Sequence, residues 1–136
     1  MSEVTPNRFS KTFVAEPVHI DELGHVNNSV WVQWIQDMAT AHWNAAAAPA
    51  HVERFFWVVI RHEIDYRGNI ASGEDALGTT WIEGNPKGAK SVRAVEFTDR
   101  EGKPLVSART TWAMLDRSTQ RLARVRPEVL EPFRGD

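Results

Sequence analysis

The chain has 136 residues, 42% hydrophobic and 25% charged, with a net charge of −2 and no cysteine. That balance suits one globular domain over 1–136, with a core that needs no disulfide or metal to hold it. The charge leaves no global attraction for nucleic acid or an anionic membrane, and the missing thiol removes disulfides, thiolate metal sites and a cysteine nucleophile together.

The opening MSEVTPNRFS lacks the basic-then-apolar order of a signal peptide. Residues 8–19 alternate loosely around Phe9, Phe13 and Val18 and predict a strand, with Pro17 at an edge or bend. A polar stretch, HIDELGHVNN, follows. From Ser29 the period changes: Trp31, Trp34 or Ile35, Met38 and His42 recur every three to four residues, which predicts an amphipathic helix. Asn27 and Asn28 suit its N-cap and Pro49 limits its other end, so it runs about five turns, roughly 28 Å. Gln33, Gln36, Asp37 and His42 lie inside this most apolar stretch and would be costly in lipid, so no membrane span and a cytoplasmic location are expected.

Everything further along reads as strand. Residues 55–66 begin as the continuous apolar run of a central strand. A loop over 68–73 leads to a strand over 76–84, a turn over 85–88, a strand over 91–99, and a turn at REGK. The last strand, 104–115, places Val106, Ala108, Thr110, Trp112 and Met114 on one face. The tail, with two prolines, is expected to lie over the surface. One long helix followed by four strands fits an α+β fold, an antiparallel sheet wrapped around the helix. Its open edges need management, and dimerisation is one solution.

The polar stretch holds more than a cap requires. Asp21 stands three residues before Gly24, which frees the backbone for close approach or positive φ. Unpaired backbone N–H groups follow at the helix start, where an oxyanion can be received. A carboxylate and oxyanion donors around one carbonyl suit acyl transfer. Taken singly, Asp21, His25, Asn27 and Asn28 are turn and cap residues; the combination points to chemistry.

Asp21-Glu-Leu-Gly24-His25-Val-Asn27-Asn28, followed by aromatic Trp31, resembles the signature of hot dog-fold acyl-CoA thioesterases of the 4-hydroxybenzoyl-CoA thioesterase type. IDYRGNIASGEDAL, GAKSVRAVEF and residues 100–133 resemble that family's later strands and tail, so the likeness covers nearly the whole chain. The resemblance implies a hot dog fold, about five curved strands around one long helix. It also implies homodimers, often paired into tetramers, with the acyl-CoA thioester at the dimer interface. Carried over by position, Asp21 is the catalytic nucleophile or general base and the Asn28 backbone N–H the oxyanion donor. His25 and Asn27 shape the turn or hold water, and Gly24 lets the substrate approach.

Two positions depart from the family pattern. Trp31 replaces a tyrosine and loses its hydroxyl. Gln36 replaces a glutamate and cannot act as a base, and Asp37 beside it faces another direction. These two departures keep a second reading open, a hot dog protein that binds acyl-CoA or acyl-carrier-protein thioesters without turnover. A hydratase reading ranks lower, because Asp21 and His25 are four apart and no Asn-Pro pair accompanies them. Arg67, Lys87, Lys90 and Arg93 are placed near loops where a CoA phosphate could rest, or else on a solvated surface. The histidines show no ligand spacing and no glycine loop cradles phosphate, so neither metal nor cofactor is expected.

Overall fold

The computed structural model describes residues 7–134. The leader reading of the first six residues and the last two residues of the tail lie outside them. Strand β1 (Phe9–Val14) leads to a one-turn 3-10 helix, Pro17–His19, then to helix α1 (Asn28–Ala46) and a short helix α2 (Pro49–Arg54). Strands β2 (Phe55–Tyr66), β3 (Asp75–Lys87), β4 (Lys90–Thr98) and β5 (Pro104–Asp116) follow, then a four-residue helix α3 (Pro127–Leu130). All strand pairs are antiparallel, in the order β1-β3-β4-β5-β2.

Helix α1 has 19 residues, about 28 Å, and buries Trp31, Trp34, Ile35, Met38, Ala39, His42 and Trp43 on the face the periodicity selects. That face meets the concave side of the sheet. Val95 and Phe97 of β4 and Val106 and Ala108 of β5 complete one apolar cluster with the first half of the helix. Gly78 of β3 is where the packing is tightest: a Cβ there would stand 2.9 Å from both the Met38 sulfur and a Phe97 ring carbon. Only glycine lets strand and helix approach so closely.

Four expectations change. The first strand ends at Val14, because Pro17 starts the 3-10 turn instead, closed by the Glu16 backbone N–H donating to His19 Nδ1 at 3.0 Å. Pro49 opens helix α2 as well as limiting α1, since proline lacks only an N–H that a first turn leaves unused. β3 runs on to Lys87, with the turn at Gly88 (φ +60°), so Asn85-Pro86 belong to an irregular strand end. The tail is not a surface strap: Val125, Val129, Leu130 and Phe133 are buried against Trp43, Phe55 and Met114 in a second apolar cluster.

Strand β2 forms one outer edge of the sheet, paired with β5 alone. Its register slips between Val59 and Arg61, so Ile60 is an extra residue. The bulge changes the parity of the strand. Trp57 and Val59 face inward before it; His62, opposite Thr110, faces inward after it, and its Nδ1 lies 2.8 Å from the Thr110 hydroxyl. Val58, Ile60 and Tyr66 leave apolar surface exposed along this strand, at 40%, 49% and 44%.

Candidate active site

The polar stretch before α1 folds into a closed loop. Ile20 and Val26 bridge its base, and the Asp21 and His25 backbones join at 2.8 Å. Gly24 takes φ +83°, the left-handed conformation that the tight return needs. Asp21 Oδ1 accepts from the backbone N–H groups of Leu23 (2.9 Å) and His25 (3.3 Å). That oxygen therefore shapes the loop. Oδ2 has no hydrogen-bond partner among the described residues and remains available.

Asn27 is the N-cap of α1, its Oδ1 accepting from the Ser29 backbone N–H at 2.9 Å and the Ser29 hydroxyl at 3.0 Å. Asn28 opens the helix, and its backbone N–H finds no partner among the described residues. The loop thus carries an available carboxylate oxygen and leads into an available N–H at the positive end of a 19-residue helix. His25 is exposed with no side-chain partner among the described residues.

Asn69, a residue that sequence reasoning left unremarked in its loop, holds this arrangement from outside. Its Oδ1 accepts from the Val26 backbone N–H at 3.1 Å and its Nδ2 donates to the Val26 carbonyl at 3.0 Å, an amide-to-amide clasp. The signal available was weak, a single Asn after Gly68. Asn69→Ala is expected to lower kcat at least tenfold, because it frees the Asp21 loop, and to cost about 1–2 kcal/mol of stability, because it strips side-chain partners from the buried Val26 and Ile70 backbones. Steady-state kinetics beside a urea melt would check this; an unchanged kcat would remove Asn69 from the site.

The other sequence candidates scatter. Trp31 is fully buried, wedged edge-on between Trp34 and Phe97, and so fills the core. Gln36 and Asp37 are half-buried on α1, with Asp37 accepting from Gln33 at 2.9 Å. Arg67 is exposed and pairs with Asp65 at 3.5 Å; Lys87 and Lys90 are exposed. Arg93 contradicts its placement near a surface loop. Strand alternation puts it on the same face as Ser91, Val95 and Phe97, against α1, at 5% exposure.

Arg93 belongs to a polar belt between the two apolar clusters. Its Nη1 donates to His42 Nδ1 at 2.8 Å and to the Thr80 hydroxyl at 3.3 Å. No carboxylate lies within ion-pair reach of it among the described residues. Burial pushes the guanidinium down to about 10. Burial, then the Arg93 charge, pushes His42 down from 6.5 to about 4. The unfolded chain therefore takes a proton near 6.5 that the folded chain refuses until about 4, so stability is full above 6.5 and falls as pH drops toward 4. The loss is at most about 3 kcal/mol, less the share that solvent screens. Urea melts at stepped pH would show it. His42→Gln should reduce the loss in that window, leaving the share of His62, which burial also pushes down, and the lower acid limb, where Asp116 (held at about 2 by Ser118 and Thr119) protonates.

A cavity of about 310 Å³ opens beside this belt, between the second half of α1 (Thr40, Trp43) and the sheet (Trp57, Ser91, Arg93, Trp112). Its lining begins at Ala39, about 17 Å along the helix from Asn28, and Asp21 does not line it. A smaller groove of about 210 Å³ shares Phe55 with it and is lined by His51, Arg54, Arg124 and Arg126. No helix among the described residues is long and apolar enough to cross a membrane.

Residues 6–133 match the family described as the acyl-ACP thioesterase N-terminal domain. No curated protein matches the chain by sequence. Among solved structures, an acyl-ACP thioesterase from Bacteroides thetaiotaomicron is 25% identical over 91% of this chain and 52% of its own, with a TM-score of 0.78. The chain thus spans about half the length of that enzyme. A Staphylococcus aureus protein in complex with CoA is 10% identical over 97% of this chain and 85% of its own, TM-score 0.82. A 1,4-dihydroxy-2-naphthoyl-CoA thioesterase from Synechocystis is 14% identical over 93% and 96%, TM-score 0.77. These last two share the fold.

Proposed function

The chain belongs to the family of the acyl-ACP thioesterase N-terminal domain, and from that we propose that it hydrolyses an acyl or aryl-acyl thioester of CoA through Asp21. The observation that carries this is the division of labour within one carboxylate. Oδ1 is spent on the loop and Oδ2 is left available, in the loop that leads into the unpaired Asn28 N–H. A pure binder has no use for a free carboxylate next to a thioester.

The chemistry asks for little more. A thioester carbonyl is electrophilic and a thiolate leaves readily. The Asp21 carboxylate supplies an oxygen nucleophile, its own or that of a water whose proton it takes. As the C–O bond forms, the carbonyl oxygen becomes an oxyanion facing the helix N-terminus and the Asn28 N–H. Collapse breaks the C–S bond and the thiolate leaves; in the water route it takes up the proton that Asp21 removed, and in the direct route it takes one from the water that later cleaves the anhydride. In the direct route, water then hydrolyses the mixed anhydride. This use of an aspartate in the DxxGHVNN loop is what the 4-hydroxybenzoyl-CoA type implies.

The single-domain unit, 1–136, completes its site as a homodimer. The open β2 edge supports this reading, with Val58, Ile60 and Tyr66 exposed along it. The C-terminal end of β2 leads directly into Asn69, which clasps the Asp21 loop; its N-terminal end, Phe55 and Trp57, borders the cavity. Antiparallel pairing of two β2 edges therefore brings the Asp21 loop of one copy toward the cavity of the other. The arginine-lined groove then offers the CoA phosphates a seat. Ile60→Lys combined with Val58→Lys is expected to yield monomers by light scattering and to abolish turnover; retained dimers would place the interface elsewhere.

The test is thiol release, followed with a colorimetric thiol reagent, from short, medium, long and aryl acyl-CoAs and from acyl carrier protein loaded with the same groups. The cysteine-free chain adds no background. Turnover of CoA esters is expected. Turnover confined to carrier-protein esters would move the substrate to the thiol that the family's description names.

A further inference from the structure

The belt beneath α1 has more donors than acceptors, and its acceptors, His42 Nδ1 and the Thr80 hydroxyl, are neutral. Arg93 is a buried cation with no carboxylate in reach among the described residues, and such a charge is expensive to leave uncompensated. Because Arg93 donates to His42 Nδ1, the imidazole carries its proton on Nε2 and cannot supply a negative charge. The Ser91 hydroxyl and the Trp112 Nε1–H are buried without partners. Buried polar groups in native proteins are normally satisfied, and two partnerless donors beside one unpaired buried cation on the same cavity wall call for a shared cause.

We propose that this cavity is a receptor for the carboxylate of an aryl or short-chain acid, with Arg93 as the anion-binding group, Ser91 and Trp112 as supporting donors, and Trp43 and Trp57 enclosing the apolar body. The chemistry selects a carboxylate over other anions. One guanidinium fork matches one planar carboxylate and leaves the pair neutral. A phosphate dianion would bury a surplus negative charge, since the neighbouring His42 is neutral. The volume of about 310 Å³ lies at the lower end of small-molecule pockets, and aromatic walls suit a flat or branched body rather than a long chain. The carboxylate has two sources, a free acid or the far end of an acyl chain that already carries its thioester. The proposal rests on the cavity and not on Asp21, so it stands or falls apart from hydrolysis.

The probes are 3-phenylpropionate, its amide and inorganic phosphate, titrated against the whole chain by calorimetry and by quenching of tryptophan emission. The acid is expected to bind at least about tenfold more tightly than the amide, and phosphate not to compete. Arg93→Met, which fills the same space without charge, should erase the acid's advantage while the amide still binds. Should that variant fail to fold, Ser91→Ala removes one donor at nearly constant shape and should weaken the acid alone, while Trp112→Phe removes another together with part of the wall and should weaken the acid more than the amide. Equal affinity for acid and amide, no heat with the acid at about 10 mM, or an acid affinity untouched by all three variants would overturn the proposal. The source is separated by thiol release from carboxyacyl-CoA and acyl-CoA of equal length. A preference for the carboxyacyl ester that Arg93→Met erases assigns the far end of the substrate; equal rates beside tight acid binding assign the free acid. Absence of all turnover would remove the hydrolase reading and leave the acid titration to decide.

Discussion

Trp31→Ala should cost about 3–5 kcal/mol of folding stability, enough to leave a domain of this size close to unfolding at 37 °C. Trp31 is fully buried at the start of α1, with ring centroids 5.1 Å from Trp34 and 5.2 Å from Phe97, both edge-on. Removing it leaves a cavity that neither neighbour can fill, because Trp34 is stacked on Phe13 and Phe97 is pressed against Gly78. Trp31→Phe separates size from chemistry. It keeps a ring and removes the Nε1–H, which is buried without a partner, so its cost should be about 1–2 kcal/mol. Equilibrium urea melts of the three chains would check the order. An alanine variant within about 1 kcal/mol of the natural chain would mean that the helix start does not depend on this contact.

Asp21→Asn is expected to reduce kcat by about a hundredfold or more with little change in KM. Asparagine retains an Oδ1 to accept from Leu23 and His25, so the loop should persist. What disappears is the available oxygen with its charge, which an amide nitrogen cannot replace as nucleophile or base. Asp21→Ala removes the loop staple as well and should lose more, by loosening the oxyanion donors at the same time. The spread between the two variants measures how much Oδ1 contributes by holding the loop.

The helix and β2 were legible from sequence because their signals were long and consistent. Apolar residues at helical spacing across Trp31, Ile35, Met38 and His42 leave one face to bury, and α1 buries it. Strand β2 is bounded by Arg54 and Gly68 and coincides with the run 55–66. The inward face of β5 also follows from simple alternation, from Val106 to Met114.

What was missed has different causes. The tail carried a readable signal, Val125, Val129, Leu130 and Phe133 at helical spacing, which the two prolines obscured; each proline in fact starts a turn. Arg93 also had a signal, its place in the alternation with Val95 and Phe97, but charge suggested solvent and outweighed parity. The bulge at Ile60 had none, because an extra residue in a β-branched run looks like the run itself, yet it alone turns His62 inward. In the candidate site, the Asp21 loop was legible because Gly24 and the paired asparagines constrain the backbone locally. Asn69 and the cavity are products of long-range packing, which spacing along the chain does not record.

The most direct measurement is the initial rate of thiol release from one matched acyl-CoA by the natural chain and by Asp21→Asn, at saturating substrate and equal folded concentration. A fall of about a hundredfold or more in the variant, with the urea melt unchanged, is the expected result. Equal rates in the two chains would contradict it, and would move the chemistry away from the loop that opens α1.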